Sequence, residues 1–298
     1  MIKKIFRYAK IIISFYFIYF FIDYTFKNKE KLTDIFYDSI SVLILVIILK
    51  IIIVLLNSII FRKIVRLLGI GISFPLANEL TILNYLGNLV GPLKLGAGMR
   101  IEYLRQNYKV NIKNFIIKNF NLTLYTQIIY ISIFVFALYI DNKINTYVFL
   151  IIFTTILLSL YIFCRNKIFG KENIFSIKEF ISNVFFNLSI LGLFFIGFFI
   201  VILEINLVIN YSFQLIKGVY VFEGISLTNI ANLTPANLGI REFALFSINS
   251  LHGLSLNDLV EVGIIDRFCS LFSIFLMFLF QSFKKSKNKS YLKNNEVQ

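Results

Sequence analysis

A handful of charged residues in this chain have the types and spacing to do chemistry, and they stand in or beside long apolar stretches. Arg241 and Glu242 are neighbours, Asp266 and Arg267 are neighbours, and Arg100 and Lys50 stand apart from them. A guanidinium presents a fork of N–H donors matched to phosphate or carboxylate oxygens. Arg100, Arg241 and Arg267 therefore read as candidate donors to an anionic headgroup. Glu242 and Asp266 carry the opposite charge, so an Arg and a carboxylate from each segment would neutralise one another across a helix bundle. The two readings are compatible if a ligand phosphate competes with Glu242 or Asp266 for one guanidinium. Lys50 lies deep in an apolar run with no acidic residue at helical spacing, which suggests a functional role, a buried partner from elsewhere, or a side chain reaching for an interface. Lys94 is placed to touch headgroups at the mouth of a broken segment or to be an ordinary interfacial lysine.

The surroundings of these residues set the class of protein. The 298 residues are 58% hydrophobic and 15% charged, against roughly 45–50% and about 25% in ordinary soluble domains. That excludes a typical soluble enzyme and makes lipid the main solvent. The net charge of +14 would suggest nucleic acid in a soluble protein, but these bases are dispersed at the ends of apolar runs rather than gathered in one patch. Cys164 and Cys269 show no metal-ligand spacing, the single histidine, His252, sits beside Gly253, and no glycine-rich stretch ends in the Lys-Ser/Thr of a P-loop. No metal, cofactor or nucleotide is expected. The many Phe and Tyr read as lipid-facing and interfacial packing.

Crossing a hydrocarbon core of about 30 Å takes about 20 helical residues. Apolar runs cover residues 8–22, 40–61, 120–140, 147–164, 184–203 and 263–283, with a shorter one at 207–222. The first follows basic residues like a signal peptide, but residues 20–23 offer no small-residue cleavage site, so it is expected to stay as a span. The expected fold is all-α, a polytopic bundle of about seven to eight spans. It forms one membrane domain over residues 1–283, with related halves at about 1–118 and 183–283 and a basic tail at 284–298. Most of the Lys and Arg fall in segments that share a side with the N-terminus, whereas acidic residues outnumber basic ones in the opposite loops. The positive-inside rule then puts both termini in the cytoplasm.

Two segments interrupt this pattern in similar ways. In each, an Asn-Leu pair precedes a proline, with Leu three and Gly four residues after it: Asn88, Pro92, Leu95 and Gly96 in one, Asn232, Pro235, Leu238 and Gly239 in the other. Arg100 and Arg241 follow. Proline removes a backbone donor and glycine permits a turn, so both segments should break within apolar surroundings. Such backbone is tolerated there only against protein or a wet cavity. Paired breaks of this kind point to a transporter-type site; two interfacial loops with an accidental likeness are the alternative. Asn84, Asn88, Asn232 and Asn237 could satisfy the broken backbone, and Glu79 and Glu223 are either buried or interfacial. The first segment, 74–98, should enter and leave on one side. The second, 225–250, either crosses as a broken helix or re-enters. A helix opening near Gly239 would add its positive end to the site.

On these residues the chain resembles the lysylphosphatidylglycerol synthase transmembrane region family, also described as flippase-like membrane domains. Pro92, Gly96 and Arg100 fit the family's first motif, with Ala97 at a position the family gives to an acidic residue. Pro235, Leu238, Gly239, Arg241 and Glu242 fit the second, and Arg267 a later position. The resemblance implies movement of a lipid headgroup between leaflets. Because these 298 residues include no soluble aminoacyl-transferase segment, the family's lipid-modifying reaction is not expected of them, and the departure at Ala97 leaves the headgroup open.

The leading expectation is thus a plasma-membrane translocase, not an enzyme, acting in cell-envelope lipid or glycan metabolism. Its partner would be a membrane lipid with an anionic or zwitterionic headgroup, or a polyprenyl-linked glycan, with an envelope-biosynthesis enzyme as a possible protein partner. The alternatives are a membrane-embedded transferase using polyprenyl-linked sugar, for which Asp23, Asp34 and Asp38 are the clustered carboxylates, and a non-catalytic subunit of an envelope-assembly complex.

Overall fold

A computed structural model describes residues 39–90, 95–163, 177–209, 215–231 and 240–295, and positions 26, 29, 33 and 37. Among the described residues the chain is helical, without strands: α1 (Ile40–Arg66), α2 (Phe74–Val90), α3 (Leu95–Tyr108), α4 (Ile112–Ile140), α5 (Thr146–Phe163), α6 (Ile177–Ile209), α7 (Leu215–Ala231), α8 (Ile240–Phe246), α9 (Asn249–His252) and α10 (Leu256–Asn295). Four stretches among them are long and apolar enough to cross a membrane: Ile40–Arg66, Ile112–Ile140, Leu188–Ile209 and Leu256–Gln281. The expected runs at 40–61, 120–140, 184–203 and 263–283 fall within or overlap these, and α5 covers most of the run at 147–164. The expected run at 207–222 is not one helix. Residues 207–209 finish α6 and 215–222 open α7, and 210–214 lie outside the described residues. The run at 8–22 lies outside the described residues.

Local chemistry explains where these helices start. Pro75 falls in the first turn of α2, where a missing N–H has no helical partner to lose. The Asn111 side chain accepts from the Lys113 and Asn114 amides and caps α4. Ser255 and Asp258 form a capping box at α10, each side chain accepting from the other's backbone amide, at 3.2 and 3.0 Å.

Packing is inverted relative to a soluble protein. Ile44, Ile48 and Ile52 on α1, Phe195 and Phe199 on α6, and Leu271, Phe275 and Phe278 on α10 face outward, whereas Lys50, Glu204, Arg241, Glu242 and Arg267 are buried. That arrangement suits lipid outside and polar groups inside. Helices α1, α6 and α10 pack pairwise against one another at the centre, α4 leans on α7, and α8 on α10. Tyr130, Phe194 and Phe222 tie α4, α6 and α7 together, with ring centroids 5.0–5.7 Å apart.

The helices on either side of each expected break pack against one another. Helices α2 and α3 lie side by side, and they meet so closely that a Cβ on Gly96 would sit 2.0 Å from the Asn84 carbonyl oxygen. Only glycine fits there. The Asn88 side chain accepts from the Gly96 amide at 3.2 Å, satisfying a backbone donor at the start of α3. In the second segment α8 returns along α7, packing Leu245 and Ile248 onto Gly224. The described parts of the segment at 225–250, α7 and α8, thus pack against one another, and residues 232–239 between them lie outside the described residues. Helix α10 carries on to Asn295, so the lysine tail continues the last span as helix.

Candidate functional site

Helix α8 is short, and its adjacent Arg241 and Glu242 both turn inward against α10. Opposite them stand the adjacent Asp266 and Arg267. The charges pair crosswise. Arg241 Nη1 donates to Asp266 Oδ2 at 2.5 Å, and Arg267 Nη2 donates to Glu242 Oε1 at 2.7 Å. Lys50 enters from α1 and donates to the other oxygen, Asp266 Oδ1. Its ammonium also lies 3.1 Å from Glu204 Oε1 on α6. Asp266 therefore bridges two cations, and Lys50 stands between two carboxylates.

The cluster joins three cations and three carboxylates from four helices, so its formal charges cancel. Cancellation matters because each unpaired charge at bilayer depth costs about 2.5–3.5 kcal/mol, and an isolated buried ion far from water costs more. Gly263, one turn before Arg267 on α10, makes room for the second pair. A Cβ there would meet Glu242 Oε1 at 2.4 Å and Arg267 Nη1 at 2.7 Å.

Arg100 is elsewhere. It lines a cavity of about 360 Å³ walled by α1, α2, α3, α4, α6 and α7. Its guanidinium lies over the Phe61 ring, 4.1 Å from the centroid, with Phe115 at 5.9 Å, an arrangement that favours a cation. The polar wall is otherwise neutral: Asn57, Asn84, Tyr85, Asn119 and Gln127, with threonines at 81, 123 and 126. Asn57 donates to the Tyr85 hydroxyl at 2.9 Å, and Gln127 donates to Ser226 at 2.9 Å, which tethers α4 to α7. Tyr85 is within electrostatic reach of both Arg100 and Lys50, so the cavity and the ion cluster are neighbours.

Of the residues expected to form one site, the structure joins Lys50, Arg241, Glu242, Asp266 and Arg267 and places Arg100 in the adjoining cavity. Lys94, Pro92, Pro235 and Gly239 lie outside the described residues, as do Asp23, Asp34 and Asp38; Gly96 serves the α2–α3 crossing. Lys50 finds its partners on other helices, which spacing along its own helix cannot reveal. Glu204 was missed, although a carboxylate ending an apolar run was a usable signal. The neutral cavity wall was missed too, because scattered Asn, Gln and Thr carry little signal before helices are assembled. Glu223 is buried, with neither carboxylate oxygen hydrogen-bonded among the described residues.

His252 is also buried. Its Nδ1 accepts from the Leu254 amide and its Nε2 lies 3.0 Å from the Leu245 carbonyl oxygen. This assigns the neutral ring with its proton on Nε2, and burial pushes its pKa below the ordinary histidine value. It holds the turn between α8 and α10.

Among known proteins, the family model described as the lysylphosphatidylglycerol synthase TM region matches residues 8–277. No curated protein and no solved structure gives a match.

Proposed function

The chain belongs to the lysylphosphatidylglycerol synthase TM region family, and from that premise we propose that it moves a lipid or lipid-linked headgroup between leaflets. The observation that carries this reading is the charge-compensated cluster of Lys50, Glu204, Arg241, Glu242, Asp266 and Arg267 inside a bundle of membrane-spanning helices. A purely structural bundle gains little from six buried charges, since apolar residues of similar volume stabilise as well or better. A translocase needs them. A phosphate entering the bundle must exchange its hydration for fixed donors, and a guanidinium already held by a carboxylate can be handed to the phosphate without leaving a bare charge. The Arg100 cavity beside the cluster offers a polar path, while acyl tails remain in lipid. Rocking of the two halves would open that path to one leaflet and then the other.

On this reading the protein sits in the plasma membrane with both termini in the cytoplasm, serves cell-envelope lipid or glycan metabolism, and performs no covalent chemistry. The test is a scramblase-type assay in proteoliposomes carrying headgroup- or tail-labelled lipids, with outer-leaflet label destroyed by an impermeant reductant. Arg241→Ala and Glu242→Ala, reconstituted at equal folded amounts, are expected to abolish translocation of the transported lipid. Unchanged rates in both variants would remove the cluster from the mechanism.

A further inference from the structure

We propose that Glu223 is a proton-binding site whose loading and release couple lipid movement to a proton gradient. Only the coupling rests on the translocase reading. Glu223 is 2% exposed. Among the described residues neither of its carboxylate oxygens has a hydrogen-bond partner, and no cation acts on it. A bare carboxylate is too costly to keep in that position, and a buried acid without a counter-charge neutralises by holding a proton. A metal ion fits less well. It needs several oxygens around it, and no group of three His, Cys, Asp or Glu able to hold one occurs among the described residues.

The position makes that proton movable. Tyr220, Glu223 and Ser226 are spaced to share one face of α7, and the outer two tie that face to α4. Tyr220 donates to Asp141 at 3.1 Å, and Gln127 donates to Ser226 at 2.9 Å. Glu223 sits between the two ties, with Tyr130 of α4 in electrostatic reach. The buried charged or titratable groups on the other neighbours of α7 are engaged elsewhere: Glu204 of α6 with Lys50, Arg241 and Glu242 of α8 with Asp266 and Arg267, and His252 of α9 with Leu245 and Leu254. Gln127, Tyr130 and Phe222 also line the Arg100 cavity. Parting of α4 from α7 would therefore open Glu223 to a polar space, where a carboxyl releases its proton with an ordinary pKa of about 4.3. In the closed seam even the protonated acid finds no acceptor among the described residues, which costs stability. An apolar side chain would pack there without that loss, so the acid serves the state in which the seam is open.

The test uses the full chain in proteoliposomes of phosphatidylethanolamine and phosphatidylglycerol. Infrared spectra at neutral pH should show the carbonyl band of a protonated carboxylic acid, shifted in heavy water, and Glu223→Gln should remove it. Tail-labelled versions of both lipids then report leaflet distribution through an impermeant reductant, with the membrane potential clamped by potassium and valinomycin. A pH difference of one unit is worth up to about tenfold at one proton per lipid. Under it the wild type should hold at least a threefold leaflet imbalance in a lipid it moves, Glu223→Gln should hold none, and Glu223→Asp should restore part of it. No such band in the wild type, or the same band in folded Glu223→Gln, overturns the proton site. Lipid that moves but stays even under the gradient, or an imbalance unchanged in Glu223→Gln, overturns the coupling. An imbalance that needs Glu223 but follows a sodium gradient at equal pH overturns both in favour of a metal ion. A Glu223-dependent band in a chain that moves neither lipid under any gradient leaves the proton site standing, and the translocase reading fails alone.

Discussion

Replacing Asp266 by Asn tests the logic of the ion cluster most directly. Asp266 accepts from Lys50 with one oxygen and from Arg241 with the other, and its side chain keeps only 22% of its exposure. Asn is nearly isosteric, so packing is preserved while one anion is lost, leaving three cations to two carboxylates. Lys50 retains Glu204 at 3.1 Å, but Arg241 loses its hydrogen-bonded carboxylate. Removing one partner of a buried pair costs about 3–5 kcal/mol, a large share of a total stability of about 5–15 kcal/mol. At about 2–4 °C per kcal/mol, the unfolding midpoint should fall by roughly 6–20 °C. The buried thiol of Cys269 supplies the assay, since a thiol-reactive dye reports its exposure on heating, in a Cys164→Ser background. The decisive variant adds Arg241→Gln to Asp266→Asn. That double change leaves two matched pairs, Lys50 with Glu204 and Arg267 with Glu242, so it should be more stable than Asp266→Asn alone, by up to about 3 kcal/mol. A double variant no more stable than the single one would refute the charge-compensation argument.

Two further outcomes follow from the geometry. Gly96→Ala places a methyl group against the Asn84 carbonyl oxygen, and because both are backbone-anchored the α2–α3 hairpin must open; loss of the monodisperse folded species on size-exclusion chromatography is expected, and wild-type elution and melting would contradict the close crossing. His252 is neutral and buried with its pKa depressed, so the unfolded chain takes up its proton first as pH falls below about 6.5. The stability it contributes is full above that value and is lost as pH drops toward the folded-state pKa; melting followed by light scattering between pH 7.5 and 5.5 should show the decline, and His252→Asn should flatten it.

Much of the architecture was legible because a lipid solvent leaves a coarse signature: long apolar runs must be helices, and α1, α4, α6 and α10 lie where those runs are. Basic residues on both flanks of the first broken segment led to the expectation of a re-entrant pair, and α2 and α3 do lie side by side. The end of α6 was less legible, since residues 207–222 are apolar throughout and apolarity does not mark where one helix stops and another starts. At the site, the crossed pairing of Arg241 with Asp266 and Glu242 with Arg267 could be anticipated from two adjacent opposite-charge dipeptides. The separation of Arg100 from those pairs could not, because it depends on the α2–α3 hairpin packing against α1. Nor could Glu204 be matched to Lys50, since the two are brought together by tertiary packing of α1 on α6.

The pairing of Lys50 has a consequence for how the protein is made. The arginine pairs are local in sequence, 25 residues apart in each case, so both members leave the ribosome almost together. Lys50 is different, because Asp266 follows it by 216 residues. At about 5–20 residues per second, α1 is delivered to the membrane roughly ten to forty seconds before Asp266 exists. Until α6 brings Glu204, its ammonium is uncompensated, at an insertion cost of about 2.5–3.5 kcal/mol that the apolar residues on either side must outweigh. The length and uniform apolarity of α1 therefore serve biogenesis as well as the finished bundle. A chain halted before α6 would carry an orphan lysine in the bilayer, a mark by which quality control can tell an incomplete molecule from a finished one.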